Sequence, residues 1–230
     1  MTSKKRVLLI DALNLFMRNY IVDPSLSTNG QPIGGTKGFI KSLQSVCRTI
    51  SPDLIFVAWD GGSQKRKSID KNYKAGRKPV RLNRDIHNMT AGQQEDNKNW
   101  QQQRLIEYLN EMPIMQSYVE NVEADDIIAL VSQSQALSEY HKIILSSDKD
   151  FIQLCDDSTI LYRPIQKEIL NKKRILEQYD IHPTNFALAR AIAGDKSDNL
   201  PGIGGAGLPT VSKRFPFLSE EKIIYDTRAS

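Results

Sequence analysis

The chain has 230 residues, of which 40% are hydrophobic and 25% charged, and its 31 Lys and Arg against 27 Asp and Glu give a net charge of +4. This length and composition fit one large or two small domains, with enough chain to bury a core. A total so close to zero does not by itself indicate a polyanionic partner, although charge can still be segregated along the chain.

Membrane, disulfide and zinc proteins are disfavoured by simple features of the sequence. No apolar run approaches the roughly 20 residues that span a bilayer, and residues 1–6 lead directly into a strand-like segment instead of a signal peptide. We therefore expect a cytoplasmic protein with no membrane partner. Cys47 and Cys155 lie far apart without a C-x-x-C motif, and we expect both to be reduced core residues. The histidines share no ligand spacing and are interpreted as surface or structural residues; they are His87, His141 and His182.

Short apolar runs of strand length recur along the chain, at residues 7–10, 54–59, 143–145 and 159–162. They do not alternate with polar residues, which is typical of strands buried on both faces. Between them, helical periodicity links Phe39, Leu43, Val46 and Ile50; then Leu105, Tyr108, Leu109 and Met112; then Ile127, Ile128 and Val131. This alternation predicts an α/β fold with a mostly parallel central sheet over about residues 6–163. Ligands of such sheets bind at the carboxyl ends of the strands.

Two regions depart from this alternation. Residues 61–97 hold few large apolar side chains and no clear strand, which is typical of a lid or binding loop. At the end of this region, the Gln- and Asn-rich stretch at 93–103 is interpreted as a mobile hinge of the lid. From about residue 171 the sequence predicts helices, at 171–179 and 183–193, followed by a glycine-rich turn.

Carboxylates follow the apolar runs. Asp11, Asp60 and Asp148 each come at or just after the end of a predicted strand. A helix N-cap is the ordinary explanation for any one of them, but three at the same end of a sheet favour a shared site. Further acidic residues extend this set: Glu123, Asp125 and Asp126 at the start of a helix, Asp150 after Asp148, and the pair Asp195 and Asp198.

Converging carboxylates require a positive partner, because burying unpaired charges costs several kcal/mol each. Oxygen ligands without His or Cys select Mg²⁺, Mn²⁺ or Ca²⁺ over zinc. Consecutive helical residues point about 100° apart, so Asp125 and Asp126 would face different neighbours, which suits two adjacent ions. Two Mg²⁺ ions in one acidic cleft are a known arrangement for phosphodiester hydrolysis.

A basic segment lies directly after Asp60. Between residues 64 and 86, nine Lys and Arg oppose two Asp, so this segment carries +7 and the rest of the chain −3. A solvated surface is the usual explanation of such a run. Here Tyr73 lies within it, and cations interleaved with an aromatic ring suit single-stranded nucleic acid. A basic lid over an acidic metal cleft indicates a polyanionic substrate.

Six motifs in chain order resemble the signature series of the 5′ nuclease (flap endonuclease) superfamily, and the bacterial and phage 5′ to 3′ exonucleases in particular. They are Ile10-Asp11, Trp59-Asp60-Gly61, Tyr73-Lys74-x-x-Arg77, residues 123–126, residues 147–150 and residues 194–202. The resemblance covers about residues 6–215. It implies a PIN-like core at 1–170 with a helical arch at about 61–97, and a helical region at 171–230 with a helix-three-turn-helix element.

The same resemblance implies roles for individual residues. Asp11, Asp60, Glu123 and Asp125 would hold a first Mg²⁺ ion, and Asp126, Asp148, Asp150 and Asp198 a second, with Asp195 beside it. Lys74 and Arg77 would act in catalysis by touching the scissile phosphate at the base of the arch. Nucleic-acid contacts are implied for Arg66, Tyr73 (by stacking on a base), Lys78, Gly205, Gly207, Lys213 and Arg214. Mn²⁺ would substitute for Mg²⁺.

One part of the chain departs from the family pattern. Pro209 stands where a lysine is usual in the turn at 202–210, although Lys213 and Arg214 follow within a turn. The chain also ends at Ser230, whereas relatives generally continue with further helices, which fits either a trimmed chain or a compact natural variant.

The expected function is therefore that of a monomeric, Mg²⁺-dependent 5′ nuclease that cuts DNA at 5′ ends or flaps, or RNA primers on DNA. It would act in replication or repair in the cytoplasm of a bacterial or phage-infected host. Two alternatives remain open: a PIN-type endoribonuclease and a non-catalytic nucleic-acid-binding module. A haloacid-type phosphatase is disfavoured, because Ala12 and Leu13 follow Asp11 where that class has a second Asp.

Overall fold

A mostly parallel sheet organises the chain in the computed structural model, which describes residues 4–75 and 89–221. Within these ranges the strands are β1 (Lys5–Asp11), β2 (Leu54–Trp59), β3 (Met115–Tyr118), β4 (Tyr140–Leu145), β5 (Thr159–Arg163) and β6 (Glu168–Leu170). Their order across the sheet is β3-β2-β1-β4-β5-β6. Strands β1 to β5 pair in parallel, and β6 pairs antiparallel with β5. The predicted α/β fold is confirmed.

Helices cover both faces of the sheet. In the described ranges they are α1 (Ala12–Val22), α2 (Gly34–Ile50), α3 (Gln64–Ile69), α4 (Ala91–Asn110), α5 (Ala124–Ser132), α6 (Lys172–Tyr179), α7 (Phe186–Ala193) and α8 (Leu208–Arg214). Short 3₁₀ turns lie at Gln135–Leu137, Asp150–Leu154, Pro183–Asn185 and Pro216–Ser219. None of the described helices is long and apolar enough to cross a membrane.

Strand β1 supplies side chains to two separate hydrophobic cores. Val7 and Leu9 belong to a core that includes side chains of α5, α6, α7 and α8, whereas Leu8 and Ile10 belong to a core that includes side chains of α1, α2 and α4. All four are at most 1% exposed. A strand covered on both faces is apolar without alternation, which is why its sequence reads as a continuous run. Helices α6 to α8 share the first core with the sheet, so the hydrophobic packing does not separate two domains at residue 170. The predicted domain boundary at that residue stays a prediction.

The interpretation of residues 93–103 as a hinge was wrong. They lie inside α4, where Asn97 and Gln101 are buried. Nδ2 of Asn97 donates to the carbonyl of Pro32 at 3.1 Å, and Oε1 of Gln101 accepts from the backbone N of Thr36 at 3.1 Å. Buried side-chain amides that find partners are compatible with a packed helix, so the polar composition does not indicate mobility here.

The cysteines and histidines have structural environments. Cys155 is buried, which raises the pKa of its thiol to about 12, whereas Cys47 is only half-buried and not the core residue predicted. Neither forms a disulfide. His182 is buried, and Nδ1 accepts a hydrogen bond from the backbone N of Thr184, capping a 3₁₀ turn. His141 is exposed, and His87 lies outside the described residues.

Candidate active site at the carboxyl ends of the strands

A hydrogen-bond network joins the ends of β1 and β4. Oδ1 of Asp11 caps α1 by accepting from the backbone N of Asn14 at 3.1 Å, and Oδ2 accepts from Oγ of Ser146 at 3.1 Å. Asn14 Oδ1 in turn accepts from the backbone N of Ser147, also at 3.1 Å. Asp11 is therefore both a helix cap and a member of the site. Asn14, Ser146 and Ser147 were not predicted as members of the site, although the two serines between β4 and Asp148 were a signal.

Gly61 brings the end of β2 against the loop that precedes α5. Its backbone N donates to the carbonyl of Val122 at 2.9 Å, and its carbonyl accepts from the backbone N of Asn121 at 2.9 Å. A Cβ atom at this position would lie 1.8 Å from the carbonyl oxygen of Val119, so no larger residue fits. This close approach brings the start of α5, which carries three acidic residues, beside Asp60.

One cleft collects the carboxylates from these elements. It has a volume of about 1010 Å³, and its acidic lining residues are Asp11, Asp60, Glu123, Asp125 and Asp148. Ser147 also lines it, and its buried Oγ has no hydrogen-bond partner among the described residues. These donors are all oxygen atoms without His or Cys, which is the set that hard divalent cations prefer. The residues therefore fit a Mg²⁺-like ion.

The cleft carboxylates are short of positive charge. Burial, aided by the nearby charges of Asp148 and Asp125, raises the pKa of Asp11 to about 7 against the opposing hydrogen bonds from Asn14 and Ser146. Burial also raises the pKa of Asp125 to about 6, although the Arg66 guanidinium opposes this rise. Carboxyl groups that resist ionisation near neutral pH cluster at functional sites, because a substrate or cation is needed to complete the electrostatic balance.

A second acidic cluster contains Asp150, Asp195 and Asp198, whose carboxylate oxygens lie within 4.8 Å of one another. Arg190 on α7 forms ion pairs with Asp150, at 3.1 Å, and with Asp195. Burial and the nearby Asp148 charge raise the pKa of Asp150. Burial alone would raise the pKa of Asp195 as well, but hydrogen bonds from Ser197 and the charge of Arg190 lower it. Arg190 is a further member of the site that the sequence analysis missed.

A closed loop presents Asp195 and Asp198. The backbone N and O atoms of Asp195 and Leu200 pair in both directions, at 2.9 and 2.8 Å. Behind this pairing, Gly194 packs on Gly202 so closely that a Cβ on Gly194 would lie 2.4 Å from the Gly202 backbone N. The glycines of this motif are therefore explained by contact between two stretches of backbone.

The start of the basic segment lies directly on the acidic residues. Glu123 is 3% exposed, and its carboxylate accepts from Lys74 Nζ at 2.6 Å, from the Tyr73 hydroxyl at 3.1 Å and from Arg66. Arg66 also binds Asp126 at 2.8 Å. Asp126 thus faces Arg66 and does not line the cleft, so its predicted metal role stays a prediction.

The other residues predicted to contact nucleic acid differ in their exposure, and some lie outside the described residues. Tyr73 is only 7% exposed, so stacking of its ring on a base stays a prediction. Arg77 and Lys78 lie outside the described residues. Gly205, with a φ of +75°, and Gly207 are exposed in the connection between α7 and α8. The helix-three-turn-helix element predicted there stays a prediction. Lys213 and Arg214 are exposed at the end of α8.

Comparisons with known proteins agree with this architecture. Residues 6–180 match the family described as 5′-3′ exonuclease, N-terminal resolvase-like domain. A 5′-3′ exonuclease of Buchnera aphidicola is 28% identical over 98% of this chain and 75% of its own length. The thermostable DNA polymerase I of Thermus thermophilus is 30% identical over 91% of this chain, which spans only 24% of that polymerase.

A solved structure has the same fold. The flap endonuclease of bacteriophage T5, in a pseudo-enzyme-product complex with DNA and metal ions, superposes with a TM-score of 0.73 at 18% identity. The match covers 94% of this chain and 76% of the phage protein. The PIN-like α/β fold predicted from the sequence is confirmed.

Proposed function

Because the chain belongs to the 5′-3′ exonuclease family, whose members are phosphodiester hydrolases, we propose that it is a divalent-metal-dependent 5′ nuclease acting on DNA. Its substrates are 5′ ends or flaps, including RNA primers on DNA, and its products carry a 5′-phosphate and a 3′-hydroxyl. The observation that carries this proposal is the convergence of Asp11, Asp60, Glu123, Asp125 and Asp148 in one cleft.

Two groups of carboxylates would hold the cations, with Mg²⁺ as the physiological ion and Mn²⁺ as a substitute. The first is Asp11, Asp60, Glu123 and Asp125, and the second is Asp148, Asp150 and Asp198 with Asp195 beside them and Asp126 as a further candidate. The raised pKa values of Asp11 and Asp125 and the all-oxygen donor set support this assignment. When bound, such ions supply a hydroxide nucleophile at neutral pH and stabilise negative charge on the phosphoryl and leaving oxygens.

Lys74 and Arg66 provide positive charge beside the carboxylates. Lys74 Nζ is fixed on Glu123 and lines the cleft, so it can donate a hydrogen bond to a phosphate oxygen there. Arg66 is held by Glu123 and Asp126 and is partly exposed, which lets its remaining N–H groups contact a neighbouring phosphate. We assign a catalytic role to Lys74 and Arg77, and contacts with the nucleic-acid backbone to Arg66 and Lys78.

A second contact with duplex DNA is proposed for the turn between α7 and α8. Gly205 and Gly207 are exposed there, and Lys213 and Arg214 follow at the end of α8. Glycine lets a phosphate approach backbone N–H groups closely, and the two cations add the charge attraction that DNA binding requires. The flap endonuclease of phage T5, which has the same fold, was solved in complex with DNA and metal ions, and this supports DNA as the ligand. We propose that the chain acts as a monomer, with residues 1–170 as the catalytic unit.

Product mapping tests the proposed function. The protein is incubated with 5′-labelled flap, nicked, blunt and RNA-primed duplexes, with Mg²⁺ or with EDTA. We expect EDTA-sensitive cleavage at 5′ ends or flaps, and at least a hundredfold loss of rate for Asp125→Asn. A profile restricted to single-stranded RNA would support an endoribonuclease instead. Binding to DNA without cleavage would indicate a non-catalytic module.

A further inference from the structure

Asn199 connects the basic segment to the second acidic cluster. Nδ2 of Asn199 donates to the carbonyl oxygen of Asn72 at 3.1 Å. One residue earlier, the carbonyl of Asp198 accepts from the backbone N of Lys74 at 3.0 Å. Asn199 is neither acidic nor basic, and the proposed function gives it no part. These two hydrogen bonds nevertheless hold the segment 72–74 against the loop that carries two of the proposed metal ligands.

The backbone on both sides of this contact has an uncommon conformation. Lys74 has a φ of +60° and Asn199 a φ of +59°. Residues other than glycine seldom adopt this left-handed region, and asparagine does so more readily than most. Lysine has no such tolerance, so surrounding contacts must hold Lys74 in place. The hydrogen bond from its own backbone N to Asp198 is one of these contacts.

The segment 72–74 also contacts the first group of carboxylates. The Tyr73 hydroxyl and Lys74 Nζ both donate to Glu123. On its other side, the loop at 195–200 is closed by paired backbone hydrogen bonds and is expected to move as one unit. The segment is therefore fixed between the two acidic groups, by side chains to one and by backbone and the Asn199 amide to the other.

We propose that Asn199 is a positioning residue that couples cation binding at Asp150, Asp195 and Asp198 to the placement of Lys74. This inference rests on the metal site of the proposed function. A cation on the cluster orders the loop, and the ordered loop holds Lys74 through the Asp198 carbonyl and the Asn199 amide. By linkage, a well-placed Lys74 segment tightens cation binding by the same factor.

Asn199→Gly removes the side-chain hydrogen bond to Asn72 and still allows the positive φ that the backbone has at this position. Glycine keeps access to a positive φ but lacks the amide that reaches Asn72. Ser51→Gly is the matched control, because Ser51 also has a positive φ, of 48°, and ends α2 before the amino end of β2, away from the carboxylates. Both variants place glycine at a position with a left-handed backbone conformation.

The experiment measures hydrogen exchange of the peptide containing Lys74, with and without Mg²⁺, and the Mg²⁺ affinity by calorimetry. In the wild type and in Ser51→Gly, Mg²⁺ is expected to slow exchange at Lys74. In Asn199→Gly this slowing is lost and Mg²⁺ binds about three- to tenfold more weakly, the range expected for one lost hydrogen bond. A thermal melt checks that the variant is folded.

Two results would overturn the inference. One is exchange at Lys74 that Mg²⁺ leaves unchanged or speeds in the wild type, and the other is equal slowing and equal affinity in Asn199→Gly. No DNA is present in these measurements. Failure to cut DNA would therefore contradict the proposed function while leaving the coupling between the cation and Lys74 intact.

Discussion

Lys74 Nζ lies 2.6 Å from Oε1 of Glu123, so the basic segment that follows β2 is anchored on the acidic residue that precedes α5. The two side chains are 18% and 3% exposed. Solvent screens an ion pair this buried much less than a surface pair. Removal of one partner leaves the charge of the other buried without compensation.

Glu123→Gln is expected to lower the free energy of unfolding by about 2 kcal/mol, because Lys74 and Arg66 lose their shared counter-charge. Urea denaturation in EDTA at pH 7.5 measures this. The matched control is Glu95→Gln, since Glu95 forms an exposed ion pair with Lys98 on α4 and is expected to change stability by about 0.5 kcal/mol or less. Equal effects of the two substitutions would contradict the expectation.

The metal-free protein is expected to lose stability as the pH rises from about 4 to 7. Burial raises the pKa of Asp11 from 3.8 to about 7, so the folded state binds a proton that the unfolded state releases. The contribution is complete below the unfolded pKa and is lost as the pH approaches the folded pKa. Its size is about 4 kcal/mol or less.

Comparison of Asp11→Asn with the wild type isolates this contribution. Denaturation in EDTA at several pH values should show a flatter profile for the variant, because asparagine does not titrate. Addition of Mg²⁺ at pH 7.5 should raise the melting temperature of the wild type more than that of Asp11→Asn. Parallel pH profiles would show that Asp11 is not the group responsible.

Gly61→Ala is expected to destabilise the protein by about 3 kcal/mol, since the new Cβ would collide with the Val119 carbonyl and separate β2 from the loop before α5. Gly92→Ala is the control. Gly92 lies in the first turn of α4, where a Cβ would have no neighbouring atom of the described residues within 4 Å, and alanine there should stabilise by about 0.5 kcal/mol. Thermal melts of both variants test the contrast, which a similar loss in each would refute.

Tyr73→Phe and Tyr73→Leu distinguish stacking from hydrogen bonding. Phenylalanine keeps the ring and loses only the bond to Glu123, so KM for a substrate with a single-stranded 5′ end should change less than about threefold. Leucine removes the ring, and KM should rise about tenfold if Tyr73 stacks on a base. Equal KM values for the two variants would assign Tyr73 a packing role only.

The parts of the fold that the sequence predicted are those with a strong local signal. Strands β1, β2, β4 and β5 read as continuous apolar runs because both of their faces are covered. By contrast, β3 has only four residues, none of them buried, and β6 has three, so neither has a periodicity to detect. The second half of α4 was predicted from its apolar periodicity, but the stretch 93–103 was misread because Asn97 and Gln101 obtain their buried partners from α2 and the loop before it.

In the candidate site, too, the residues with a local sequence signal could be predicted and the others could not. Asp11, Asp60 and Asp148 could be placed together because each lies at or just after the end of a strand, which fixes their end of the sheet, whereas Asp195 and Asp198 were predicted from their motif alone. Arg190 and Asn199 could not be predicted, because their partners come from contacts that exist only after folding, such as the ion pair with Asp150 and the bond to Asn72. Ordinary residues become part of a site through tertiary geometry, which periodicity does not encode.

The two-sided burial of β1 limits how this protein can vary in evolution. Insertion or deletion of one residue before Asp11 would exchange the faces on which Val7 and Ile10 pack, and would shift the carboxylate relative to Ser146. Length changes in homologous chains should therefore be absent from this strand and concentrate in surface turns such as residues 24–32. In a library of random insertions selected for folding, no insertions should be recovered within β1.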